Sequence, residues 1–480
     1  MRPWMISALA FAMATPAFGA PAATQEQADK LKAVFERYLG RSIEGEPSKV
    51  TIVPEGTAYR MTYDYKQLGR PLESFGMTID SVSQSVLLAP NDDGTWRVTS
   101  DAMPPMVFHF KDQTITMSTS TYKFDGVFDP KLGVFTDQTA TQDGSIYDQD
   151  APAMLQHRRT GRSVLTETAT SAGASGVNLD VRYALTDITA EMTGRSPPNA
   201  ATGDAPPPFS LSYQLPKAGL GVRIDGLLAT RLLDLWAFFV AHPSHDAIVA
   251  GQEELRGLLL AALPLPLSLK EDSAAEGLTA KTPLGDVTAR SIAAGLELAG
   301  LPGTGTVNFS IAADGLGVPT TDLPAWMAGF LPTALDIRPS ITGFHAEEAA
   351  KEAVADFDLN SADGFRPEQR DKIAHIFWPG DGKLMLAPSR ITSAVLDLKL
   401  EGEATLTAAP SGRFTIAASG VDKAIALLQA AAGSDPTAAQ ALTGLVTAKN
   451  LAKPNPDGTL GWVIEAAGNN AVTINGVPLK

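Results

Sequence analysis

Cysteine is absent from the 480-residue chain, and its absence removes a disulfide framework, a thiolate zinc site and a cysteine nucleophile together. Positive charge is scarce as well. Lys and Arg number 38 against 53 Asp and Glu, a formal net charge of −15, and no stretch gathers its basic residues into a stripe. Nucleic acid, whose phosphates need clustered Lys and Arg, is excluded as a partner, and so is electrostatic docking on anionic membranes. Beyond the N-terminus no apolar run reaches the ~18 residues needed to span a bilayer. Neither a Gly-x-Ser-x-Gly nucleophile elbow nor a glycine-rich phosphate loop occurs. No cofactor is expected.

What is present begins with an export signal. Arg2 gives a positive start, Trp4 to Ala14 forms an apolar run of signal-peptide length, and the small residues Ala17, Gly19, Ala20 and Ala22 offer cleavage positions. Residues 1–22 therefore read as a signal peptide, and the mature chain as a periplasmic protein that is not transmembrane after cleavage. With 44% hydrophobic residues, it can bury a large core in two or three domains without disulfides.

Fold class follows from the way two periodicities alternate. In Arg413–Gln429, RFTIAASGVDKAIALLQ, Phe414 and Ile416 alternate with Thr415 and Ala417 as in a strand. Gly420 interrupts, and Val421, Ile425 and Leu428 then recur at helical spacing. FSIAADG at Phe309–Gly315 and WVIEAAG at Trp462–Gly468 echo this strand and its glycine, and the first is also expected to lead into a helix.

Taken in order, Thr24–Arg41 predicts an amphipathic helix. Val50 to Val181 predicts short antiparallel strands with a hairpin turn at Asp93-Gly94. Ser196–Pro208, SPPNAATGDAPPP, holds five prolines that fit neither ladder nor helix interior. A helix is expected over Leu227–Ala241, with Leu228, Leu232, Leu235, Trp236 and Phe239 inward and Thr230, Arg231 and Asp234 outward. A second is expected over Asp246–Leu263, with Leu255, Leu258, Leu259 and Leu263 inward and Glu253, Glu254 and Arg256 outward. Leu323–Leu335 and Ala346–Ala355 also read as helical. Strands then dominate from Lys383 onward, apart from helices after Gly420 and around Thr437–Ala448. The expected organisation is a strand-rich domain at 23–195, a linker at 196–208, an α+β domain at 209–345, and a C-terminal α+β domain at 346–480 packed on the previous one. The class is α+β: curved, mostly antiparallel β-sheets with amphipathic helices packed on one side.

Four patterns invite a chemical reading, and each has a plainer one. His242-Pro243-Ser244-His245, with Asp246 and Glu253 nearby, has spacing for a zinc site, yet it also reads as an interhelix turn in which Ser244 caps the next helix. Asp356-Phe357-Asp358-Leu359-Asn360 spaces oxygens like a calcium loop but has Ser361 and Pro367 where Gly and Glu are needed. Ser120-Thr121-Tyr122-Lys123 fits Ser-x-x-Lys, though in a strand-rich run and without its Lys-Thr-Gly companion. The acid pairs Glu347-Glu348 and Asp92-Asp93 read as polar faces or turns. The plainer reading is taken in each case, and no catalytic or metal residue is assigned.

The chain plan resembles an uncharacterised alphaproteobacterial envelope family, domain of unknown function 2125. The stretches that carry the resemblance are Tyr38–Gly40 (YLG), Asn91–Val98 (NDDGTWRV), FTIAASGVDKAIALL from Phe414, and Thr473–Leu479 (TINGVPL). The last is also similar to the tails of AsmA-like periplasmic β-groove proteins. The family brings no established activity and no catalytic residue. From the residues themselves the suggestive feature is an aliphatic and aromatic surplus. Leu232, Trp236, Phe239, Leu259, Trp326 and Phe330 are expected to line a groove between a curved sheet and its helices. A non-enzymatic protein holding a lipid, another apolar ligand or an envelope partner is the first expectation. The alternatives are an envelope scaffold with no small-molecule ligand, and an envelope hydrolase centred on His242/His245 or Ser120/Lys123.

Overall fold

The computed structural model describes residues 22–478, apart from 42–46, 71–72, 74–75, 81, 174–175, 196–208, 362, 408 and 469–470. The expected signal peptide, save Ala22, and the proline-rich segment lie outside these residues. Strands make up 50% of the chain and helices 25%, with 10 helices among the described residues. Every described strand pair is antiparallel, so the class is broadly α+β and mostly β. Two compact units divide the chain. The first runs to Leu269 and takes in Ala350–Arg370; the second comprises Lys270–Ala349 and the chain from Asp371 onward.

In the first unit the helix Gln25–Leu39 starts where the Thr24 hydroxyl accepts from Gln27 N, 3.3 Å away. Its face of Ala28, Leu31 and Phe35 packs on a strand core that includes Leu88, Trp96 and Phe128. These residues come from a meander of Val50–Glu55, Ala58–Asp64, Ser83–Pro90, Trp96–Ser100 and Thr121–Asp129. The meander feeds Val134–Ala151, one edge of which pairs first with Thr121–Asp129 and then with Gln113–Ser118. Its other edge opens a series of long partners: Met154–Ser171, Val177–Gly194 and Ser210–Leu227. These four strands have 18 residues each, a length of about 60 Å at strand rise and roughly three times the usual count. Thr193 pairs with Ser210, so the strands on either side of 196–208 are neighbours within one unit. The domain boundary expected at those prolines falls instead near Leu269.

The second unit has its own antiparallel ladder of Gly305–Asp314, Lys383–Ser393, Asp397–Thr405, Gly412–Ser419 and Leu460–Ala466. Pro332–Ile337 and Pro339–Phe344 each bridge Gly305–Asp314 to Lys383–Ser393. A helix had been expected over Leu323–Leu335. Only Ala325–Ala328 is helical, because Pro332 bars continuation and begins a strand. The helix expected over Asp246–Leu263 is likewise two, His245–Ala250 and Gln252–Ala261, divided at Gly251. Pro367–Phe377 is a helix that periodicity did not reveal.

Gly420 turns the central strand into the helix Val421–Ala432, which the helix Pro436–Leu451 follows. Its φ is 82°, and a Cβ there would lie 2.1 Å from the Val395 carbonyl oxygen. Two of the three sequence echoes are adjacent strands, with Ile416 opposite Trp462. The third ends at Gly315, φ 63°, but no helix follows it directly. Gly420→Ala is expected to lower unfolding free energy by at least about 1–2 kcal/mol, the cost of a left-handed L-residue, as read in urea denaturation. Gly433→Ala, at φ −69° with nothing near its Cβ position, serves as the near-neutral control.

Candidate functional site

Strand alternation gives the second unit's sheet two unlike faces. On one, Leu296 stands opposite Phe309, Val307 opposite Ile341, and Ile341 opposite Leu384. The row continues with Leu400 opposite Ile416 and Ile416 opposite Trp462. On the other face Glu401 pairs with Thr415 and Glu403 with Arg413. A bulge keeps the apolar side in register: Leu386 meets Gly402, but Ser389 meets Leu400. Pro388, which lacks the donor a ladder needs, sits inside that bulge. Buried Ser389 secures it by donating to Ala387 O at 2.7 Å and accepting from Arg338 N at 3.1 Å.

The two helices after Gly420 cover one end of this face, where Ile425, Leu445 and Leu451 pack around Ala418, Val421 and Trp462. Trp462 Nε1 donates to Ala448 O at 2.7 Å. At the other end Phe309 is 46% and Ile311 50% exposed. Large apolar side chains in the middle of a ladder and open to solvent make this the candidate site. The alternation that marks it was legible in Val307, Phe309 and Ile311, but strand periodicity does not say which face a helix covers.

Several expected site residues are placed otherwise. On the helix Ala229–Ala241 the buried side chains are Ala229, Leu233, Ala237 and Phe238. Leu232, Trp236 and Phe239, expected inward, are 44%, 43% and 41% exposed. The helix is rotated from the expected setting because Leu233 and Ala237 meet Tyr38, and Arg37 pairs with Asp234 at 2.7 Å. Trp236 still anchors its indole, donating to Tyr38 O at 2.8 Å. Leu259 packs beside the core of Phe238, Leu255 and Phe357. Arg256, expected outward, lies over the Phe357 ring at 5.0 Å and donates to Phe357 O at 2.9 Å. Trp326 and Phe330 belong to the second unit, where they meet edge to face and Trp326 Nε1 donates to Asp435 Oδ2 at 2.7 Å. The six expected residues thus serve three different settings.

The chemical patterns resolve into structural roles. His242 stacks on Phe238 and its Nδ1 contacts Phe238 O at 2.8 Å, while Ser244 caps the next helix by accepting from Ala247 N. Asp358 Oδ1 accepts from Asn360 N and Nδ2, which holds its carboxyl below the usual range. Ser120 donates to Asp143 O at 2.7 Å. It precedes the strand that holds Lys123, so no helical turn brings the two together. Glu347, read as a solvated acid, is buried at 6% exposure.

Sequence reasoning missed Glu167. It lies on the inner face of the first unit's long strands, opposite Gln138 on one side and Val181 on the other, with Leu165 and Ala169 two places away along its own strand. Gln138 Nε2 donates to Glu167 Oε2, and Gln138 Oε1 is buried without a partner. Burial lifts the Glu167 carboxyl from 4.5 to about 7, and the Gln138 hydrogen bond opposes the rise. Because the folded chain then holds this proton more tightly than the unfolded chain, its contribution is fully present below pH 4.5. The contribution is lost as pH rises to about 7. The full loss amounts to about 3 kcal/mol. Glu167→Gln is expected to unfold at higher urea than the parent above pH 7, with the difference closing below pH 5.

No helix of the described residues is long and apolar enough to cross a membrane. Residues 238–466 match the model of a family described as an uncharacterised protein conserved in bacteria, DUF2125. Neither curated proteins nor solved structures give a significant match. Of the four stretches that carried the resemblance, FTIAASGVDKAIALL lies within the matched span and the other three outside it; the likeness to AsmA-like tails gains no support from it. Over the span that holds the open sheet face and its helical cover, the chain is similar to the DUF2125 family.

Proposed function

We propose that the protein is exported to the periplasm and binds a lipid acyl chain on the open end of the second unit's apolar sheet face, without bond-breaking chemistry of its own. The observation that carries this reading is the exposure of Phe309 and Ile311, 46% and 50%, in the middle of a ladder where they stand opposite Leu296, Ala294 and Ile337. An extended apolar strip suits a chain-like hydrocarbon, and each buried methylene contributes about 0.8 kcal/mol. In this reading the sheet curves around its ligand, with the helices on one side. Arg2 followed by the apolar run Trp4–Ala14 supports export, and net charge −15 favours a captured acyl chain over docking on an anionic bilayer.

A second reading is favoured by a separate feature. Leu232, Trp236 and Phe239 present three exposed apolar side chains along one helical face, which suits a scaffold contact with an envelope partner or a second copy.

Native mass spectrometry of protein released gently from the periplasm separates the two. The lipid reading expects a bound mass of lipid size, lost on solvent extraction and in the Phe309→Ser/Ile311→Ser double variant, with circular dichroism unchanged. A bare parent chain, or a bound mass indifferent to the double variant, overturns it. A multimer abolished by Trp236→Ser supports the scaffold reading instead.

A further inference from the structure

Neither a bound acyl chain in the second unit nor the ladder of the first requires the Glu167–Gln138 contact. Gln138 is 5% exposed and pinned in place: a Cβ at Gly126 would come within 2.9 Å of both its Cβ and the Phe135 ring. Its amide nitrogen donates to Glu167 Oε2, but its oxygen has no partner. With Glu167 ionised, the inner face would hold two faults at once. A buried acceptor would stay unsatisfied, at roughly 1–3 kcal/mol, and it would stand beside a carboxylate that has nothing to donate. A proton on Glu167 repairs both. The amide N–H goes to one carboxyl oxygen, the acid O–H goes to the amide oxygen, and a closed pair of hydrogen bonds results.

We infer that Glu167 and Gln138 form a neutral carboxylic acid–amide pair, a proton-binding site that ties Val134–Ala151 to Met154–Ser171 from the inner face of the sheet and slackens when the proton leaves. Among the described residues no neighbouring charge competes for the site. Lys123, Asp125, Asp137, Asp180, Arg182 and Arg223 all alternate to the opposite face of the strands around it. On the helix Gln25–Leu39, Lys30 pairs with Glu26 and Lys32 with Glu36. The other titratable groups on the inner face nearby are the phenols Tyr122 and Tyr183, and burial pushes Tyr122 up to about 12. The causes acting on Glu167 are burial and the Gln138 hydrogen bond. This site is independent of the lipid reading, which concerns the other unit.

Infrared difference spectroscopy of the full chain between pH 5 and 9 tests it. The parent is expected to show a protonated-carboxyl C=O band that bleaches with a midpoint near 7 and is lost in Glu167→Gln. Gln138→Met removes the donor and the acceptor of the pair together, so it is expected to move that band to the higher frequency of a carboxyl without hydrogen-bond partners. Hydrogen exchange, corrected for intrinsic rate, is expected to show less protection in the two strands above the midpoint in the parent and no such step in Glu167→Gln. Absence of a band that depends on Glu167, a midpoint near 4.5, or strand protection indifferent to pH overturns the inference; Glu167→Gln alone suffices where Gln138→Met does not fold.

Discussion

The alternation of side chains along antiparallel ladders is the constraint on which the rest of this molecule depends. A slip of one residue would exchange the two faces of every following strand. The chain meets this demand over strands of 18 residues in the first unit. In the second it restores register with a bulge at Ala387-Pro388. The apolar face of Phe309, Ile341, Leu400 and Ile416 and the charged face of Glu401, Glu403 and Arg413 are two consequences of one register.

Given that register, the helices have a narrower task. The pair after Gly420 closes one end of the apolar face, and the N-terminal helix closes the core around Trp96 and Phe128. Where no such cover is placed, the ladder leaves Phe309 and Ile311 in solvent. An antiparallel sheet with one solvated face normally turns its polar face outward. Here apolar residues are open at one end, and the functional reading starts from that departure.

The same alternation delivers polar groups inward. Gln84, Ser100, Gln138 and Ser163 are all buried, and most find partners. Tyr65 donates to Gln84 at 2.5 Å, and Ser100 donates to Ser85 O at 3.0 Å. Glu167 differs because its neighbour retains an unpaired oxygen, and low polarity around the pair raises the stakes of each protonation state.

The sequence by itself determined the elements whose signal is local. Gly420 lies between a period-two run and a helical one, Ser244 is a cap, and Asp93-Gly94 is a turn whose Asp93 Oδ1 accepts from Thr95 N at 2.9 Å. These depend on backbone sterics and on hydrogen bonds within a few residues. The tertiary structure decided what depends on distant partners. The helix Ala229–Ala241 is apolar on more than one side, so its rotation was set by Tyr38 and Arg37, nearly 200 residues earlier. The prolines at 196–208 read as a boundary because composition cannot reveal that Thr193 pairs with Ser210. Glu167 sits in a run of Thr, Glu and Ser that looks solvated, and only its placement between Gln138 and Val181 makes its charge costly. Periodicity fixes the spacing of side chains along one element; which face meets another is a property of the assembled sheet.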